Sequence, residues 1–210
     1  MSVAAVVVAA GEGRRFGSPK QFAELDGSTV ARRSVEACRA VAELVVLVVP
    51  VGYGGDGEGA DLVCEGGATR SASVRAGLAH VGEAEVVVVH DAARPWAAPG
   101  LFAGVVAAVR EGADGAVPGL EVTDTLKRVG PGAGVRVVEG TVARESLVAV
   151  QTPQAFRTRV LVAAHAHGGE ASDDAALVEA AGGRVVVVPG DPANRKITRP
   201  EDLHAAGVRA

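Results

Sequence analysis

The stretch from Val6 to Phe22, VVVAAGEGRRFGSPKQF, constrains the fold more than any other part of the chain. A β-branched apolar run closes in two alanines and passes straight into a turn that holds Gly11, Gly13 and Gly17, with Arg14, Arg15 and Lys20 among them. Such a strand delivers a glycine loop to one end of a sheet. Glycines let backbone N–H groups approach an anion, because no Cβ intervenes. Two guanidiniums and an ammonium beside them can neutralise phosphate oxygens. The loop has the size and charge for a triphosphate, which points to nucleotide chemistry.

Two familiar glycine loops fit less well. The dinucleotide fingerprint is G-x-G-x-x-G, whereas the spacing here is G-x-G-x-x-x-G and Pro19 interrupts the helix that should start at the turn. The next strand, 44–49, ends in Pro50 and not in an acid that would hold a ribose. A P-loop needs G-x-x-x-x-G-K-[ST], and Gly17 is followed by Ser-Pro-Lys-Gln. A surface turn with incidental charge is the plain alternative.

Downstream, apolar runs alternate with amphipathic ones. The pattern predicts strands at 3–9, 44–49, 61–64, 85–89, 114–118 and 184–189, and helices at 29–41, 70–80, 99–111, 157–167, 174–182 and 200–206. Alternation of this kind implies an α/β fold with right-handed crossovers and a mostly parallel sheet carrying helices on both faces. Continuous Val-rich runs are what strands buried on both faces require. Ligands of such sheets bind beyond the carboxyl ends of the strands, where the glycine loop lies.

One segment breaks the alternation. Residues 120–150 carry no helical pattern and read as Val122–Val129, a turn over 130–134, and Val135–Val142. This is a hairpin inserted into the α/β domain. An isolated two-stranded ribbon is marginal in water, so it must pack on something, either a second subunit or its own domain. The glycine-rich patch 52–59 reads as a flexible connection.

The chain of 210 residues suits one well-cored domain. A net charge of −4 gives no general affinity for nucleic acid or a membrane surface. No apolar run reaches the roughly 20 residues of a membrane span, and the sequence enters a strand without a signal peptide pattern. Two cysteines, Cys38 and Cys64, make neither a disulfide framework nor a zinc site. The expectation is a cytoplasmic protein with no membrane or nucleic-acid partner.

Six further motifs carry polar groups. His90-Asp91-Ala-Ala-Arg94-Pro follows the strand 85–89. Asp91 is placed to hold Mg²⁺, which takes one or two carboxylates plus phosphate oxygens and waters. Arg94 would face an anionic group of a second substrate. Alternatively, Asp91 caps the next turn and pairs with Arg94. Gly66-Gly67-Ala-Thr-Arg70-Ser-Ala-Ser73 suits main-chain recognition of a base or ribose, or plain helix capping by Thr69 or Ser71. Asp124-Thr125-Leu-Lys127 lies on the hairpin and Arg144 just after it; from there they can reach another subunit's site or form a solvated face. Thr152-Pro153-Gln154-Ala-Phe156 reads as a rigid turn before a helix, and Ser172-Asp-Asp opens another helix. In Asn194-Arg-Lys196-Ile-Thr198, the alternation directs Lys196 and Thr198 to one face. The histidines show no metal or nucleophile spacing.

The ordered set AAGEGRRFGSPKQF, GGATRSASVRAGL, VHDAARP, DTLKR, TPQAF, SDDAALVE and NRKITRPEDL resembles the 2-C-methyl-D-erythritol 4-phosphate cytidylyltransferase family over nearly the whole chain. The resemblance implies a Rossmann-like nucleotidyltransferase domain over 1–210, with an inserted arm at about 120–146 that interlocks a homodimer. It implies CTP and a polyol phosphate as substrates and Mg²⁺ or another divalent cation as cofactor. Arg15 and Lys20 match residues that stabilise the transition state, and Arg144 and Lys196 match those that position the polyol phosphate. Asp91 matches the metal and substrate site. Arg94, Thr125, Thr152, Ser172 and Thr198 match substrate contacts, those of Thr125 and Arg144 being made in the partner's site. Ala9, Ala10, Gly11, Gly13, Gly67 and Ser73 match the nucleotide pocket. Ser172 stands where many members have Thr, and 52–59 is unlike the usual polar stretch. The same chemistry on another polyol phosphate, such as ribitol 5-phosphate, and a non-catalytic nucleotide-binding module are the rival readings. An NAD(P)-dependent oxidoreductase is disfavoured by the loop spacing and Pro50.

Overall fold

The structure is a computed structural model that describes residues 1–207 apart from Glu12, Arg14 and Arg15. In chain order, β1 (Val3–Val8) leads into the glycine loop and a 3-10 turn over Lys20–Phe22. The small pair β2 (Glu24–Leu25) and β3 (Ser28–Thr29) precedes α1 (Val30–Cys38). Then come β4 (Leu44–Val49), β5 (Leu62–Glu65), α2 (Arg70–Leu78), β6 (Val86–Asp91), α3 (Pro99–Arg110) and β7 (Gly115–Glu121). The ribbon β8 (Leu126–Val129) and β9 (Val138–Val142) is followed by β10 (Val148–Val150), β11 (Gln154–Arg157), α4 (Thr158–His165), α5 (Asp174–Ala180) and β12 (Val185–Pro189).

β1 lies inside an eight-stranded sheet, flanked in parallel by β4 and β6. Its side chains alternate. Val3, Ala5 and Val7 join a core with α1 and α3, and Ala4 and Val6 join a second core with α2, α4 and α5. Both faces are therefore covered, which explains why β1, β4 and β6 are unbroken runs of Val, Ala and Leu up to His90 and Asp91 at the end of β6. Gly77 lets α2 lie against β1; a Cβ there would stand 2.4 Å from Val6 Cγ1. Cys38 is buried in the first core, and burial pushes its thiol pKa up, as expected of a filler rather than a nucleophile.

The α/β class with helices on both faces is as expected, and four of the seven strand pairings in the sheet are parallel. Two expectations fail here. The segment 152–156 is not simply a turn. After the cis bond Thr152–Pro153 it becomes β11, which runs antiparallel between β6 and β7, while β10 pairs antiparallel with the far end of β7. Proline is tolerated because it precedes the first residue of that strand. The segment 200–206 is helical, but as a 3-10 helix over Pro200–Gly207.

The predicted hairpin is present as the antiparallel ribbon β8–β9, shorter than the 122–142 pattern and outside the main sheet, with Val135, Val137 and Val138 exposed. The patch 52–59 is not a loose connection. Arg32 Nη2 lies 2.6 Å from Asp56, Glu58 accepts from Thr29 Oγ1 at 2.6 Å and from Tyr53 OH at 3.1 Å, and Tyr53 stacks on Phe22 at 4.8 Å. Among the described residues no helix is long and apolar enough to cross a membrane.

Candidate active site

Beyond the carboxyl ends of β1 and β6 lies a cavity of about 560 Å³. Ala9, Ala10, Gly11 and Gly13 from the glycine loop line it, with Lys20 and Gln21 from the turn that follows. Gln21 is buried and donates through Nε2 to the carbonyls of Ala9 and, at 2.9 Å, Gly11, which ties the loop back onto itself. Gly13 has φ +67°, and a Cβ there would fall 1.9 Å from Ser18 O, so no other residue fits this turn unstrained. Lys20 Nζ donates to Ile197 O. Arg15 lies outside the described residues.

Gly67 and Ser73 line the opposite wall. Thr69 caps α2 by accepting from Ala72 N, as the plain reading allowed, while Ser73 Oγ donates to Thr69 O at 2.9 Å and keeps its lone pairs for a ligand. Lys196 and Thr198 complete the cavity, with Ile197 buried on the other side of the strand-like segment and its N–H bonded to Ala93 O at 2.8 Å. The alternation read from the sequence is borne out in this placement.

Asp91, the last residue of β6, faces the cavity. Its Oδ2 lies 2.6 Å from Lys196 Nζ and its Oδ1 3.3 Å from Arg70 Nε. Burial works against the charge, but Lys196 and Arg70 outweigh it and hold the carboxyl well below the usual carboxylate range. The acid therefore pairs with Lys196 and Arg70 and not, as the plain reading had it, with Arg94, whose Nη1 donates to Asn194 O at 2.7 Å.

Behind Asp91 the hydrogen bonds fix one another. Thr152 Oγ1 accepts from Asp91 N at 3.0 Å and lies 3.1 Å from His90 Nδ1, and His90 Nε2 lies 3.2 Å from Arg94 O. A carbonyl can only accept, so Nε2 carries the proton and Nδ1 accepts from Thr152. Burial pushes the His90 pKa down to about 4, so the ring is neutral at pH 7. The Thr152 hydroxyl proton is thus used inside the protein. Thr152 is a brace for Asp91 and lines a second cavity of about 240 Å³.

That second cavity adjoins the first and shares Asp91, Arg70 and Lys196 with it; Arg94, Thr152 and Ser172 line its other sides. Two adjoining polar pockets with cations at their junction can bring two anionic substrates together. Thr125 and Arg144 line neither. Both are exposed near the ribbon, where Arg144 donates to Thr123 O.

Residues 3–209 match the sequence profile of the IspD family, 2-C-methyl-D-erythritol 4-phosphate cytidylyltransferase. The chain belongs to this family. It is 48% identical over 219 residues to the bifunctional enzyme IspD/IspF of Anaeromyxobacter sp. (strain Fw109-5), covering 97% of this chain and 56% of that protein. It is 43% identical over 220 residues to the 2-C-methyl-D-erythritol 4-phosphate cytidylyltransferase of Cereibacter sphaeroides (strain KD131 / KCTC 12085), covering 98% and 96%. The chain thus spans about half the length of the bifunctional relatives and nearly all of the monofunctional one. The crystal structure of the Thermus thermophilus cytidylyltransferase superposes with a TM-score of 0.81 at 40% identity, over 96% of this chain and 95% of that one.

For a member of this cytidylyltransferase family, the acid content of the site decides how a metal could be held. Among the described residues no group of three His, Cys, Asp or Glu side chains could hold an ion, and Asp91 is the sole described acid lining the larger cavity. One carboxylate does not make a resident cage. It does fit a Mg²⁺ ion that arrives on phosphate oxygens and keeps its waters.

Sequence reasoning gave no role to Gln21, Arg70 or Asp174. Arg70 had a legible signal. It is the first residue of α2, where a cation opposes the positive end of the helix dipole, and so needs carboxylates nearby.

Proposed function

We propose that this protein transfers CMP from CTP to 2-C-methyl-D-erythritol 4-phosphate, giving CDP-methylerythritol and pyrophosphate. Family membership supports the reaction, and the observation that carries it to this chain is the convergence of Lys20, Asp91 and Lys196 on the cavity at the strand ends. CTP would occupy the larger cavity, its base near Gly67 and Ser73 and its phosphates along the glycine loop. The polyol phosphate would enter the smaller cavity between Arg94, Thr152 and Ser172.

A phosphate monoester, with a second pKa near ~6, is largely dianionic at neutral pH and needs no general base to attack the α-phosphorus in line. This fits a site whose buried imidazole, His90, is spent on hydrogen bonds. The barrier lies in bringing two anions together, so catalysis is positioning and charge stabilisation. Lys20, with Arg15, opposes charge developing at the α-phosphorus. Lys196 and Arg94 orient the attacking phosphate. Asp91 would hold a divalent cation, which supplies charge neutralisation on the phosphate oxygens when bound.

The reading extends to assembly. Residues 1–210 act as one nucleotidyltransferase domain, and the region 120–146 serves as the arm of a homodimer that offers Thr125 and Arg144 to a second copy's site. The exposed valines of the ribbon support that, as does the fact that neither residue lines a cavity of its own chain. A cytoplasmic location accords with two free cysteines.

The test is pyrophosphate release by purified protein with CTP and Mg²⁺, run with 2-C-methyl-D-erythritol 4-phosphate and in parallel with ribitol 5-phosphate. Release with methylerythritol phosphate alone is expected. Release with ribitol 5-phosphate alone would move the acceptor, and release with neither would end the enzymatic reading.

A further inference from the structure

Asp174 is a fully buried carboxylate behind the smaller cavity. It does not cap its own helix. Asp173 does that, by accepting from Ala176 N at 3.1 Å. Asp174 instead takes Arg70 Nη1 on Oδ2 at 2.7 Å and His165 Nε2 on Oδ1 at 3.0 Å. Burying an acid is costly unless it is paired, and the pairing here has a direction. Arg70 uses Nη1 for Asp174 and Nε for Asp91, so one planar guanidinium spans the two carboxylates. Burial opposes the charge on Arg70, and the two acids outweigh it. Asp91 in turn holds Lys196 Nζ at 2.6 Å. The result is a chain, His165–Asp174–Arg70–Asp91–Lys196, that runs from the end of α4 to the junction of the two cavities.

We propose that Asp174 is a positioning residue for the transfer reaction: it fixes the plane of Arg70, which orients the Asp91 carboxylate and, through it, the ammonium of Lys196. The proposal rests on the cytidylyltransferase reading above. Asp174 lines neither cavity. Its effect reaches the chemistry only through Arg70, the cation that lines both cavities and bridges two acids. A lysine at position 70 would keep the charge but could not present two fixed donors to two carboxylates.

The experiment is a double-mutant cycle on the full chain with Asp174→Asn, Arg70→Lys and the pair, reading kcat, the KM for methylerythritol phosphate and CTP affinity, with thermal unfolding as a check of folding. Each single substitution is expected to lower kcat about 10- to 100-fold, as for lost orientation of a reacting group, while CTP affinity stays within about threefold. Because both act through one guanidinium, the double variant should sit within about threefold of the slower single one. Losses that multiply in the double variant, or a folded Asp174→Asn enzyme with wild-type kcat, would overturn the proposal. If Asp174→Asn does not fold, Arg70→Lys decides alone. Its side chain is 24% exposed at the cavity wall, and a folded variant with unchanged kcat rejects the role. Wild-type protein separates the two readings. Silence there removes the transfer reaction and the proposal together, whereas an active wild type beside an unimpaired Asp174→Asn enzyme removes only the proposal.

Discussion

Lys196 Nζ lies 2.6 Å from Asp91 Oδ2, although 105 positions separate the two in sequence. The contact joins the end of β6 to the loop after β12 at the place where two cavities meet. Arg70 approaches the other carboxylate oxygen, so one acid balances two cations. In the proposed reaction the carboxylate would hold the ammonium where the two pockets meet before an anionic substrate arrives.

Replacing Asp91 with Asn preserves the shape and removes the balancing charge. Metal-free CTP should then bind at least as tightly as to the wild type, because Arg70 and Lys196 are no longer neutralised. Turnover should fall by about 10²-fold or more, as when a charge-orienting group at a reacting phosphorus is lost. Calorimetry in chelator and steady-state kinetics with Mg²⁺ check the two halves. Weaker CTP binding with intact turnover would contradict both.

Lys20 lines the larger cavity too, from the turn that closes the glycine loop, with its ammonium donating to the carbonyl of Ile197 beside Lys196. If it opposes charge that develops only in the transition state, Lys20→Ala should lower kcat by ~10²–10³ while CTP affinity changes by less than about tenfold. Single-turnover kinetics separate the two. Unchanged kcat would refute the role.

How much of this was legible follows the physics of each element. β1, β4 and β6 announce themselves because strands covered on both faces must be apolar at every position. The glycine loop shows because Gly13 needs a positive φ. β10 and β11 do not show. They are three and four residues long, one opens on a buried Gln154, and their pairing to β6 and β7 is a tertiary fact without local periodicity. The patch 52–59 misleads in the opposite direction. Its glycines suggest looseness, yet Glu58 and Tyr53 tie it to Thr29 and Phe22. Among the polar groups, Lys196 and Thr198 could be read from alternation; the place of Arg70 at the start of α2 hints that it needs acids, but which acids, 21 and 104 positions away, no local window tells.

The buried His90 predicts a pH dependence of stability. Its pKa is lowered from 6.5 to about 4 in the folded protein, so below pH 6.5 the unfolded chain takes up a proton that the folded one refuses. The stabilising contribution is complete above that value and is lost as pH falls toward 4. Between pH 7 and pH 5 the loss should be about 2 kcal/mol. Urea titrations in chelator at the two pH values should show it for the wild type, and His90→Gln should lack that part of the slope. Equal slopes would show that His90 is not buried neutral.

Thr125 and Arg144 lie near the ribbon and line neither cavity of their own chain, so a homodimer with exchanged arms makes a quantitative prediction. Lys20→Ala damages the site of the chain that carries it, and Arg144→Ala damages the site of its partner. In a mixed dimer one site then holds both defects and the other holds neither. Random pairing of equal amounts makes half of the dimers mixed, so about a quarter of all sites should be intact. Co-expression with two affinity tags, followed by sequential purification of the mixed species, isolates the restored dimers at about half of wild-type activity per dimer. If each chain completed its own site, every site in the mixture would carry one defect, and the purified mixed species would show no more than the average of the two parents.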